Sequence, residues 1–159
     1  MTGKELALIN LSETRRRSIK VWRAIPDSQL EWRPDPEALS FGESIRHVWN
    51  SSYFYQRVLE HGGDLPQDFV SPFELEILPL MSVEEEIARA EPVFAGFLEY
   101  MAQIPDTDFK GRIIDRSNIG YKRTVGDMLA RVAYHDSIHT GQMLQMMRQA
   151  GLERPDIWD

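Results

Sequence analysis

Along four stretches of this chain apolar residues return every three or four positions, and each stretch opens on the same polar signal. The signal is a Ser or Thr followed three residues later by an acid: Thr2 and Glu5, Ser40 and Glu43, Ser82 and Glu85, Thr124 and Asp127. A hydroxyl so placed accepts from an unpaired amide of the first helical turn, while the acid can reach back to the amide of the cap residue. The acid also meets the positive end of the helix dipole. Four such starts, each followed by a helical apolar period, predict four helices.

The first helix is expected from about Thr2 to Ala24, with Leu6, Ile9, Leu11, Ile19, Val21 and Trp22 apolar. It ends at Ile25-Pro26, because the residue before a proline disfavours helix. The second runs from Phe41 to about Glu60 with Ile45, Val48, Tyr55 and Leu59 inward, and His61-Gly62-Gly63 terminates it. The third spans Val83 to Gln103 with Ile87, Ala90, Phe94, Phe97, Leu98 and Met101 inward. Pro92 falls inside it and is expected to kink or interrupt it. The fourth spans Val125 to Ala150, stopped by Gly151, with Met128, Leu129, Val132, Met143, Met146 and Met147 apolar.

Two connections are long. The segment from His61 to Leu80 holds three prolines and no clear period, and reads as a crossover laid along the bundle. Between Pro105 and Arg123, DFKGRII reads as a strand, SNIG as a turn and YKR as a short return strand. The expected fold class is all-α. One domain over residues 1–159 forms a four-helix bundle, with a long crossover between helices two and three and a short β-hairpin between three and four. Long crossovers admit bundles other than simple up-down-up-down.

Composition narrows the chemistry. With 159 residues and a 42% hydrophobic fraction, the chain can bury a real core without staples. Its apolar runs are too short to cross a bilayer, and its first ten residues lack the regions of a signal peptide, so a cytoplasmic protein without membrane contact is expected. A formal charge of −7 argues against nucleic acid as partner. Two basic groups, Arg15-Arg16-Arg17 and Lys110, Arg112, Arg116, Lys122, Arg123, read as solvated surface. There is no cysteine, which removes disulfides, thiolate nucleophiles and Cys-based zinc sites together. Any metal must sit on histidine or carboxylate.

Three of the four histidines are placed for that role. His135 and His139 lie four apart in the fourth helix, on one face and one turn from each other, so their imidazoles can share an ion. They follow Met128 and Val132 along the apolar stripe and precede Met143 and Met146. His47 stands seven residues after Ser40, with Ser44 and Ser51 on its ridge leaving room beside it. If the two helices run the same way, counting from their caps offsets His47 from the pair by roughly 6 to 12 Å at about 1.5 Å per residue, which stagger can absorb. Taken singly, His47 reads as a satisfied histidine, and the Met143, Met146, Met147 run as core filler or subunit interface. His61, beside Gly62-Gly63, reads as a helix-end residue. Neutral imidazole suits zinc, nickel, iron or copper rather than magnesium or calcium, with zinc or nickel the leading expectation and iron or manganese behind. Three protein ligands leave coordination open for water or substrate, the pattern of a catalytic site. Residues lining such a pocket are expected at Ser51, Phe54 and Met143, from helical position alone.

Three stretches resemble the DinB-like (YfiT-like) family of metal-dependent four-helix-bundle proteins. They are LEWRPDPEALSFGESIRHVWN leading to His47, the run HDSIHTGQ with His135, His139 and Gln142, and the tail MLQMMRQAGLERPDIWD. The resemblance covers essentially the whole chain. It implies a bundle with metal in a cleft at one end, a homodimer, His47, His135 and His139 as ligands, and Gln142 in support behind them. Family members with assigned activity are metal-dependent thiol S-transferases and a thiol-dependent isomerase. The leading expectation is therefore a metal-dependent enzyme transferring a low-molecular-weight thiol to an electrophilic small molecule. Alternatives are a hydrolase using metal-bound hydroxide at the same site, and a non-catalytic, metal-stabilised bundle that binds a ligand or partner. The three histidines are expected as metal ligands, and no residue is assigned a catalytic role.

Overall fold

Four long helices dominate the computed structural model, which describes residues 1–159. They are α1 (Gly3–Arg23), α2 (Phe41–His61), α3 (Val83–Gln103) and α5 (Val125–Gln149). Between α3 and α5 lie a short helix α4 (Asp106–Gly111) and an antiparallel hairpin of β1 (Ile113–Arg116) and β2 (Tyr121–Thr124). Each long helix starts where the cap signal places it. Thr2, Ser40, Ser82 and Thr124 accept from the amides of Glu5, Glu43, Glu85 and Asp127. Glu5 and Glu43 return the contact to the cap amide. Glu85 and Asp127 instead pair with Arg89 and Arg123, four residues away along the chain. Gly62 ends α2 at φ +81°, a left-handed turn that only glycine enters without strain.

Two buried clusters fix the helix directions. One gathers Val21 and Trp22 of α1, Ile45 and Trp49 of α2, Val83 and Ile87 of α3, and Met143 and Met147 of α5. The other gathers Leu11, then Val58 and Leu59, Phe97 and Met101, and Val125 and Leu129. Thus α1 and α5 run one way, and α2 and α3 the other. Around the ring α1 neighbours α5 and α3, while α2 neighbours α3 and α5. Because α2 and α3 are parallel neighbours, the chain must travel back along the bundle between them, and residues 62–82 do so as a series of turns. The crossover is stitched to the hairpin where Asp64 donates to the Asp115 carbonyl and Asp115 to that of Gly62.

Some sequence expectations need correction. The strand expected to begin at Asp108 does not: Asp106–Gly111 is helical, with Asp106 and Asp108 in its first turn at the favourable end of the dipole, and the strand starts only at Ile113. Helix α3 runs through Pro92 without interruption. Both Pro92 and Ala88, whose carbonyl loses its helical donor, face solvent, where water can satisfy that carbonyl. The same-direction arrangement of the histidine-bearing helices is replaced by an antiparallel one. Nor is Arg15 solvated surface; it is buried at 3% exposure and paired with Asp136. Arg16, Arg17 and Lys20 hold the carboxylate and carbonyl groups of the tail at Asp159 and Ile157. In the second basic group Arg112, Arg116, Lys122 and Arg123 pair with Asp108, Asp64, Asp115 and Asp127. No helix is long and apolar enough to cross a membrane.

Candidate metal centre

Antiparallel packing of α2 on α5 brings the beginning of one beside the later half of the other. His47 lies seven residues into α2 from Ser40, and His139 lies ten residues before the end of α5 at Gln149. The three imidazoles meet there. His47 Nε2 is 3.0 Å from His135 Nε2, and one nitrogen from each of the three rings lies within 4.8 Å of the others. Ring centroids are 4.5–5.0 Å apart. A tetrahedral ion with metal–nitrogen bonds of about 2.0–2.1 Å places its ligand nitrogens about 3.4 Å from one another, a spacing that ring rotations here can close on one ion.

Electrostatics disfavour protonation of two of the donors, His47 and His139. Partial burial, then the neighbouring charges of His135 and His139, push the His47 pKa down to about 4, with Asp136 acting the other way. His47 keeps an exposed edge at the mouth of the cluster while its Nε2 turns inward. His139 is likewise lowered, by burial and then by His135, against Gln142 and Asp136. Neutral imidazoles with converging lone pairs are the donor set a borderline divalent ion requires. The residues present therefore fit a divalent metal.

Behind the rings lies a polar network that the sequence did not announce. Asp136 Oδ1 sits 3.3 Å from His135 Nδ1, which leaves Nε2 of that ring for the cluster. The other carboxylate oxygen of Asp136 accepts from Arg15 at 2.8 Å, and Arg15 also donates to Ser52 Oγ at 2.9 Å. Arg15 and Asp136 are both nearly inaccessible. The guanidinium is flanked by the Phe94 ring, 4.5 Å away. One turn on, Thr140 bonds Ser18 of α1 at 2.7 Å. Asp136 lies next to His135 in sequence, so the dipeptide His-Asp was the one available hint.

A cavity of about 360 Å³ opens against His47 and His135. Phe54, Tyr55 and Phe69 form its apolar wall, and Asn50, Ser51, Ser71 and Glu74 its polar one. Ser51 and Phe54 thus lie beside the cluster. Met143 does not: it is fully buried in the core and lines neither this cavity nor the next, because it sits on the inner side of α5. A second hollow of about 420 Å³ lies on the other side, where His139 and Gln142 meet Ser44 and Met146. Phe69, Ser71 and Glu74 come from the crossover, whose lack of period hid them. Arg46 holds that segment in place. Buried against Glu86 at 2.6–2.7 Å, it donates to the Phe73 and Leu78 carbonyls at 2.8 and 2.6 Å.

Solved structures share this arrangement of helices. A DinB-like protein from Bacillus cereus superposes with a TM-score of 0.73 at 22% identity, covering 97% of each chain. A second DinB-like protein, YjoA from Bacillus subtilis, gives 0.68 at 19% identity over 96% of each. YfiT from Bacillus subtilis, described as a probable metal-dependent hydrolase with an unusual four-helix bundle topology, gives 0.75 at 15% identity over 94% of this chain and 89% of its own. No curated protein matches the sequence. The family model described as the DinB superfamily matches residues 10–143, the span that contains all three clustered histidines, and the chain belongs to that superfamily.

Proposed function

We propose that this chain is a metal-dependent enzyme that holds one divalent ion on His47, His135 and His139 and transfers a low-molecular-weight thiol to an electrophile. The observation that carries the reading is the convergence of three imidazoles beside a cavity with an aromatic wall. When bound, the ion supplies a positive charge that lowers the pKa of a thiol or water at its open position. The chain has no thiol of its own, so the sulfur comes from a cosubstrate. Phe54, Tyr55 and Phe69 hold the electrophile by its apolar part and keep water from it. Asp136, fixed by Arg15, holds the His135 ring in the tautomer that faces the cluster. As the sulfur attacks, a carbon–sulfur bond forms and the bond to the leaving group breaks. The leaving group takes the electron pair, and the thiol proton passes to solvent.

Hydrolysis is the second reading, favoured by the description of YfiT as a probable metal-dependent hydrolase and by the same open coordination. Thiol and hydrolytic assays, each run with added zinc or nickel and again after chelation, separate the two. Metal-dependent consumption of thiol with chlorodinitrobenzene as acceptor is expected. Ester cleavage that proceeds without thiol and stops on chelation would instead establish the hydrolase. The expected homodimer and the cytoplasmic setting belong to the same proposal.

A further inference from the structure

We propose that Glu74 is a binding residue for a primary ammonium group on the reacting small molecule, an inference that rests on the reading of the adjoining cavity as the substrate site. Among the residues that line this cavity, Glu74 is the only Asp, Glu, Lys or Arg. No Lys or Arg lines it. Behind the wall, Arg116 lies 5.3 Å from the centre of the Phe54 ring and is bound to Asp64. Glu74 forms no salt bridge, although it lies in a chain that pairs most of its arginines. Its one side-chain partner is Asn50, at a long 3.4 Å.

The exposed Glu74 sits on a segment that is nevertheless held in position. The Glu74 carbonyl accepts from the amides of Ile77 and Leu78, closing a turn on its C-terminal side. Ser71 Oγ donates to Asn50 at 2.6 Å and accepts from the Phe73 amide, fixing the N-terminal side to α2. Phe73 stacks edge-on against Trp49 and Tyr53 at 5.0 and 5.2 Å. Arg46 clamps the carbonyls of Phe73 and Leu78 from within, and is itself locked by Glu86, which also accepts from Trp49. A segment anchored by a buried arginine thus presents a carboxylate with no cationic partner to a cavity whose other wall is aromatic. A negative charge beside the faces of Phe54, Tyr55 and Phe69 is the combination that recognises an alkylammonium group, through an ion pair on one side and cation–π attraction on the other.

Isothermal titration of the purified chain with benzylamine and with benzyl alcohol, which differ in the cationic group, tests the subsite without any reaction. Wild type is expected to bind the amine about fivefold more tightly, the range of one partly exposed ion pair, and Glu74→Gln to bind the two alike. Equal affinities in wild type, or a preference that survives Glu74→Gln, would overturn the proposal. Thiol transfer then locates the ammonium. A cysteamine to 2-mercaptoethanol ratio of kcat/KM that falls about fivefold in Glu74→Gln places it on the thiol. An unchanged ratio together with benzylamine selectivity places it on the electrophile. If neither thiol reacts while benzylamine is still selected, the transferase reading fails and the ammonium subsite stands.

Discussion

His135 points its Nε2 at His47 because Asp136 occupies the other ring nitrogen, and Asp136 stays fixed because Arg15 is buried against it. Replacing Asp136 by Asn keeps the shape and removes the charge. Zinc affinity is expected to fall about 10–100-fold, measured by competition with a chromophoric chelator; unchanged affinity would mean the ring is oriented by something else. Asp136→Ala has a further cost, since it strands the Arg15 guanidinium. A loss of about 3–5 kcal/mol in denaturant unfolding is expected, against little loss for a double change to apolar residues of similar volume. At this scale the sequence was only partly legible. His135 and His139 declare themselves by a four-residue spacing that survives any packing. Arg15 does not, since three consecutive arginines point in three directions and only the neighbouring helix decides which one is buried. Glu74 was invisible for another reason: a crossover without period offers no face on which to place a side chain.

Caps made the elements legible, because a hydroxyl and an acid three residues apart act locally and need no tertiary partner. Each of the four hydroxyls makes its bond. Ser40→Ala is expected to lower stability by about 1 kcal/mol, read from the denaturant midpoint, and to weaken zinc binding little, as His47 is two turns further on. The short helix α4 was misread because six residues are too few for a period to show, and Ile113-Ile114 pulled the expected strand back over them. Direction was left open for a deeper reason. Cap-to-histidine counts fix where a ligand lies along its own helix and say nothing about which way its neighbour runs; buried clusters at the two ends of the bundle do. The crossover is tied to the hairpin at Gly63, where an added Cβ would strike the Asp115 carbonyl oxygen. Gly63→Ala is therefore expected to destabilise by about 1–3 kcal/mol, as a shift in thermal or denaturant midpoint, and an unshifted midpoint would show that the two segments move independently.

Over the whole molecule the histidine cluster lies at the junction of two cores, with one imidazole from α2 and two from α5, so an ion bound there would cross-link neighbours that run in opposite directions. Binding to the folded state alone adds stability as the ion is titrated, and zinc is expected to raise the melting temperature in a concentration-dependent way. Acid should act against the fold at the same place. His47 and His139 hold protons less tightly when folded than at their ordinary pKa of 6.5, so protonation favours the unfolded chain. Their contribution is full above pH 6.5 and is lost as pH falls toward about 4, the folded value for His47. Melting of the metal-free protein between pH 7 and 4.5 should accordingly fall more steeply in wild type than in His47→Gln, and parallel curves would contradict the assignment. Metal should leave as pH falls from about 6.5 toward about 4, the range over which His47 and His139 take up protons that compete for the same lone pairs. The most direct test is metal content per chain, by elemental analysis after zinc loading and desalting, in wild type, His47→Ala and His139→Ala, with circular dichroism to verify the helices. One ion per wild-type chain, and loss of it in both variants while the helices persist, is the expected result. Full occupancy in His47→Ala would contradict the account, because the ion would then be held without the helix that the bundle brings to it.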